Sequence, residues 1–219
     1  MMSWQCLIAV VVSGLAAVSS YAYSATDIIV GNFSQQSLSG WQEKEFAGKT
    51  RYQFVVQEQG RSVLEAISNK SASGLFKKVH IDLNKTPFLN WSWKIDNPLK
   101  GLNERTKEGD DYSARVYVVK SYPVFFWKTM ALNYVWSSSQ SQLPQWDNAY
   151  TSQAKMLAVR GKDSTVQHWY TEKRNLKQDF KKFFGEDVAE IDVVAVMTDT
   201  DNSKQATSAW YGNIYFSAD

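Results

Sequence analysis

The sequence predicts an all-β fold, a two-sheet β-sandwich of jelly-roll type with one short covering helix. Three observations lead there. Short runs rich in β-branched and aromatic residues follow one another at close spacing. A single segment has a helical period. No Pro- or Gly-rich linker, low-complexity run or repeat divides the chain, so residues 23–219 are expected to form one domain.

The strand-like runs are Ile28 to Phe33, Tyr52 to Gln57, Ser62 to Ser68, Gly74 to Ile81, Leu89 to Ile95, Ala114 to Val119, Met130 to Trp136, Lys155 to Arg160, Val166 to Thr171, Val193 to Thr198 and Trp210 to Phe216. Several alternate as half-buried strands should; in "LNWSWKID", Leu89, Trp91, Trp93 and Ile95 share one face. "EIDVVAVMT" is apolar on both faces, which suits a central strand covered on both sides. The helical segment is "NLKQDFKKFFG", with Leu176, Phe180, Phe183 and Phe184 on one side and the Lys residues on the other. Asn175 can cap its start, with Gln178 at the third helical position, and Gly185 can end it.

Residues 1–22 differ from the rest. An uncharged apolar run from Cys6 to Val18 precedes Ser19, Ser20, Tyr21 and Ala22, the order of a secretory signal peptide. Ser20 and Ala22 supply the small residues for a cut before Tyr23. Roughly 13 apolar residues fall short of the ~20 that span a bilayer, so no stable membrane insertion is expected after cleavage. The leader takes the single cysteine with it, which leaves no disulfide and no thiolate metal site. A bacterial protein, periplasmic or secreted, is the expectation. Its formal net charge of +2 offers no field for nucleic acid.

Two segments are dense in carboxylates: "NERTKEGDDYSAR" (Asn103 to Arg115) and "MTDTDNSKQATSAWYG" (Met197 to Gly212). In the second, Asp199 and Asp201 stand two residues apart with Asn202 next, oxygen ligands that suit calcium. An EF-hand is excluded, because counting from Asp199 puts Lys204 where Gly is required and Trp210 where the closing Glu belongs. A sandwich-type calcium site and plain Asx-turn chemistry both stay open. In the first segment, an inward-facing Asp110 or Asp111 needs a cation or several N–H donors. Three roles compete there: an ion pair or loop clamp with Arg105, Lys107 or Arg115; a ligand or metal site shared by Asp111, Asp199 and Asp201; or a catalytic carboxylate pair of the glycoside-hydrolase kind.

Other chemistry has little support. His80 and His168 lack metal spacing, and neither a nucleophile elbow nor a Gly-rich phosphate loop is present. Trp127, Trp146, Trp210 and Tyr211 are aromatic residues in or near loops, where sugar rings could stack beside carboxylates, although core packing is the simpler role for each. "YPVFFW" is a candidate exposed apolar patch for a partner protein.

With those residues in view, the chain resembles an exported bacterial family known as a domain of unknown function. The resemblance rests on "LNWSWKID", "NERTKEGDDYSARVYVV", "ALNYVW", "TEKRNLKQDFKKFFG" and "VVAVMTDTDNSKQATSAWYGNIYF", above all on the D-D-Y and M-T-D-T-D-N pair. It implies no activity. The element order is also similar to galactose-binding-like jelly rolls, a likeness of fold from which function does not follow. The expectation is a non-catalytic periplasmic domain that binds a glycan or cell-envelope ligand, with calcium assisting, through Asp110, Asp111, Asp199, Asp201, Asn202, Trp210 and Tyr211. A glycan hydrolase using paired carboxylates and an envelope protein-assembly module are the alternatives.

Overall fold

The computed structural model describes residues 23, 24, 26–57, 60–122 and 124–219; the leader expected at 1–22 lies outside them. The described residues form two antiparallel-dominated sheets, face to face, with one α-helix. In chain order the strands are β1 (Ile28–Gly31), β2 (Trp41–Ala47), β3 (Arg51–Val56), β4 (Ser62–Asn69), β5 (Ala72–Asp82), β6 (Phe88–Ile95), β7 (Ala114–Lys120), β8 (Met130–Trp136), β9 (Gln145–Asn148), β10 (Thr151–Arg160) and β11 (Tyr170–Asn175). Helix α1 (Leu176–Phe184) follows, then β12 (Glu190–Asp199), β13 (Ala206–Tyr211) and β14 (Ile214–Ser217).

The first sheet runs β1-β14-β6-β13-β4-β3, with β11 on the other side of β6. The second runs β2-β5-β12-β7-β8-β10-β9, and only β8 and β10 pair in parallel. The expected β-sandwich with one helix is therefore what the described residues form. Alternation puts the core where the sequence pattern places it. Leu89, Trp91, Trp93 and Ile95 of β6 meet Val116 and Val118 of β7, Tyr134 and Trp136 of β8, and Val194 and Val196 of β12 in one continuous cluster. Trp91 stands edge-on to Trp93 at 5.5 Å and lies against Tyr134 at 5.3 Å, geometries that favour the ring quadrupoles.

Helix α1 closes one end of the sandwich between β11 and β12. Asn175 caps it by accepting the Gln178 N–H at 3.1 Å, and Gly185 ends it in the left-handed region at φ 77°. Leu176 and Phe180 are buried, and Phe183 and Phe184 pack beside them. Asp179 joins helix to sheet, accepting the Tyr134 hydroxyl at 2.7 Å and the Arg174 guanidinium. Strand β12 is central, as expected of its two apolar faces: Val194 and Val196 point into the core, while Ala195 and Met197 point outward.

Several elements differ from the sequence expectation. The run 166–171 becomes a strand only from Tyr170, because Gln167 takes a left-handed turn at φ 56° and the chain pairs with β6 after it. The run 210–216 is broken at Gly212–Asn213 into β13 and β14. The break follows the close approach of Gly212 to β6, where a Cβ would stand 2.1 Å from the Ser92 hydroxyl. Strands β2 and β9 show no apolar alternation in sequence: "WQEKEFA" and "QWDN" form the two outer strands of the second sheet, where charge protects an open edge. "YPVFFW" does leave Val124, Phe125, Phe126 and Trp127 exposed. Among the described residues no helix is long and apolar enough to cross a membrane.

Candidate functional site

The two acidic segments meet. Strand β7 starts at Ala114, so Asp110 and Asp111 lie in the loop ahead of it, after a 3-10 turn at Lys107–Gly109. That turn is tight; a Cβ on Gly109 would fall 2.3 Å from the Asn103 carbonyl oxygen. Strand β12 ends beside this loop, and the Asp199 N–H bonds the Tyr112 carbonyl at 3.2 Å. The pairing of β7 with β12 thus carries residues far apart in sequence to one corner of the second sheet.

Asp111 is fully buried and is held as a loop clamp. Its carboxylate accepts the backbone N–H of Asn202 at 3.2 Å and that of Ser203 at 2.5 Å. Asp110, also buried, accepts the Asn148 amide at 3.0 Å. Asp199 takes the Arg115 guanidinium on Oδ2 at 2.8 Å, and the Tyr112 ring lies against the same guanidinium at 4.6 Å. Asp199 Oδ1 and Arg115 Nε are buried without a hydrogen-bond partner. One oxygen each from Asp111, Asp199 and Asp201 lie within 4.8 Å of one another, the spacing of a cation site.

Electrostatics follow from this crowding. Burial pushes the Asp199 carboxyl well above the ordinary carboxylate range, against the pull of Arg115, and the charges of Asp111, Asp110 and Asp201 push the same way. Asp201 is raised too, first by burial and then by the Asp111 charge. Burial works against the Arg115 charge, but Asp199 and Asp110 outweigh it and raise its pKa.

The corner opens onto a cleft of 420 Å³ across the outer face of the second sheet. Arg115 and Tyr117 reach it from β7, Ala131 and Asn133 from β8, Ala154 from β10 and Met197 from β12. Phe46 and Ala72 line one side, with Asn148 at the end of β9 and Asp110, Tyr150, Asp201 and Asn202 on the loops. Tyr117 sits directly opposite Asn133 in register. The Lys107 amine lies over the Tyr150 ring at 5.2 Å.

Of the residues singled out from sequence, Asp110, Asp111, Asp199, Asp201 and Asn202 come together here. Trp210 and Tyr211 do not. Tyr211 is buried inside the sandwich, where its hydroxyl bonds the Met197 carbonyl at 2.7 Å. Trp210 lies on the outer face of the first sheet under the Lys94 amine, 4.5 Å from its ring. Trp146 packs with Tyr112, Val135, Met156 and Ala158 beneath the Asn103–Asp111 loop, and Trp127 is exposed elsewhere. Sequence reasoning missed Tyr117, Asn133, Asn148 and Tyr150. The signal for the first two was the strand period itself: positions alternate to core residues Val116 and Leu132, yet bear polar groups.

The family model for a protein of unknown function (DUF3047) matches residues 39–215. The chain belongs to that family. No curated protein matches the sequence. Among solved structures, the family 30 carbohydrate-binding module of a cellulosomal cellulase from Clostridium thermocellum shares the fold. The TM-score is 0.54 at 10% identity, with 88% of this chain and 98% of that chain covered. The family 11 module of another cellulase from the same organism is similar at a TM-score of 0.48, again with 10% identity, covering 88% and 95%. At such identity the likeness is one of fold alone.

Proposed function

We propose that this DUF3047 member is an exported, periplasmic, non-catalytic domain that binds a glycan or cell-envelope ligand in the cleft of the second sheet, assisted by calcium. The observation behind this reading is the cleft's mixture of groups. Tyr117, Tyr150 and Phe46 offer ring faces for the apolar side of a sugar, while Asp110, Asn133, Asn148 and Asn202 offer hydroxyl partners. The sandwich fold shared with carbohydrate-binding modules agrees with it, and the leader pattern of residues 1–22 supports export.

The test is affinity electrophoresis through gels containing soluble polysaccharides, in calcium and in chelator. Wild type is expected to be retarded by at least one glycan, Tyr117→Ala and Asn133→Ala to run free, and Trp210→Ala on the opposite sheet to behave as wild type. A chain retarded by none, or cleft variants that bind as wild type does, would end this reading.

A second reading, a glycan hydrolase, draws on the raised pKa values of Asp199 and Asp201 in an open cleft. The buried pairing of Asp199 with Arg115 weighs against it, since that carboxyl is already committed to a guanidinium. New reducing ends from a retarded glycan, lost in Asp201→Asn, would favour hydrolysis over binding alone.

A further inference from the structure

We infer that Asp111, Asp199 and Asp201 hold a calcium ion in the wall of the cleft, and that the ion presents open coordination positions to vicinal hydroxyls of the bound glycan. The second half rests on the glycan reading above; the first does not.

Four features lead to the ion. Oxygens that share one calcium at 2.3–2.6 Å stand at most about 5 Å apart, and the three carboxylates already meet that condition within 4.8 Å. Asp199 Oδ1 is buried and accepts no hydrogen bond, although its twin Oδ2 is engaged by Arg115. A buried carboxylate oxygen without a donor is costly, and a bound cation relieves that cost without displacing Arg115. The corner is also crowded with negative charge: Asp110, Asp111, Asp199 and Asp201 gather beside the Arg115 guanidinium, with Asp111 and Asp199 buried and Asp201 partly exposed near Lys204. Finally, the frame is preformed. Asp111 is fixed by the N–H groups of Asn202 and Ser203, and Asp199 by the end of β12, so binding need not order the chain.

The donor set selects the ion. Carboxylate oxygens without His or Cys suit a hard cation, and an irregular grouping from two loops and a strand end suits calcium better than octahedral magnesium. The direction of opening selects the ligand chemistry. Asp199, Asp201 and Asn202 line the cleft, whereas Asp111 stands behind them, so the free side of the ion faces whatever occupies the cleft. Two adjacent hydroxyls of a sugar ring are oxygen donors that can complete such a shell, which makes glycans bearing free vicinal diols the expected class.

The decisive experiment melts the purified protein in chelator, in rising calcium and in rising magnesium, for wild type, Asp201→Asn and Asp199→Asn. A site present only in the folded state must raise the melting temperature with ion concentration. Wild type is expected to rise with calcium up to the millimolar range and to respond less to magnesium. Asp201→Asn, at a partly exposed position, is expected to fold and to lose the rise; Asp199→Asn removes the buried partner of Arg115, so Asp201→Asn decides the matter if that variant does not fold. No rise in wild type, or an undiminished rise in Asp201→Asn, overturns the ion site. The bridge is tested on a retarded polysaccharide: retardation lost in chelator supports it, and equal retardation in chelator and calcium overturns it. A calcium rise without any retarded glycan keeps the ion and removes the glycan reading, whereas retardation without a calcium rise does the reverse.

Discussion

Arg115 and Asp199 show how much one side-chain pair decides at the acidic corner. Both are buried, bonded at 2.8 Å, and the guanidinium is sandwiched against Tyr112. Removing one partner leaves the other charge uncompensated, so Arg115→Ala is expected to cost about 3–5 kcal/mol in urea unfolding. The double variant Arg115→Ala with Asp199→Ala should recover part of that loss; a double variant as unstable as the sum of the singles would contradict the pairing. Asp201 sets a pH dependence. Its carboxyl is raised from 3.8 in the folded protein, so the folded state keeps a proton that the unfolded chain has released. Its contribution to stability therefore falls as pH rises from 3.8 through the raised pKa. In chelator, Asp201→Asn should melt higher than wild type at neutral pH, and the gap should close as the pH is lowered towards 3.8. A variant that melts lower at neutral pH would show that the carboxylate is already compensated. At this scale the sequence displayed the acids, because two adjacent Asp and a D-T-D-N run are visible by inspection. Their partners were not visible, since Asp111 is held by backbone N–H groups that every sequence contains.

The elements were legible where one physical period dominates. The Trp face of β6 and the amphipathic α1 each follow a single repeat to buried positions, and the cap at Asn175 and the stop at Gly185 follow from hydrogen bonding and left-handed φ. Asn175→Ala should therefore cost about 1 kcal/mol in chemical denaturation. Gly185→Ala should cost about 1–2 kcal/mol, a purely conformational loss, because nothing stands within 4 Å of the added Cβ. A neutral Gly185→Ala would mean that the helix end relaxes at no cost. The edge strands β2 and β9 were illegible for the opposite reason. Their residues answer to solvent and to the need to blunt an open edge, and neither demand has a period. The break between β13 and β14 was hidden as well, since it is imposed by the backbone approach of Gly212 to Ser92, a tertiary contact.

At the scale of the whole molecule, sheet order decides what the acids can do. Sequence spacing left Asp111 and Asp199 as separate clusters; the antiparallel pairing of β7 with β12 makes them neighbours. The same pairing ties the cleft to the fold. A main core runs through both sheets and α1, and the smaller cluster of Tyr112, Val135, Trp146, Met156 and Ala158 on the outer face shares β8 and β10 with it. The loop bearing Asp110 and Asp111 rests on that smaller cluster, and the Trp146 indole N–H holds the loop through the Glu104 carbonyl at 3.2 Å. Val135, Met156 and Ala158 alternate along strands whose other faces form the main core, which ties the cluster to the pairing of those strands. Urea unfolding followed by tryptophan fluorescence and by far-UV circular dichroism should therefore give coincident transitions. A fluorescence change at lower urea, abolished in Trp146→Phe, would show instead that the acidic loop opens before the sandwich. Coincidence would mean that the cleft is as stable as the fold that carries it, so a ligand meets a formed site and the loop contributes no ordering cost to binding.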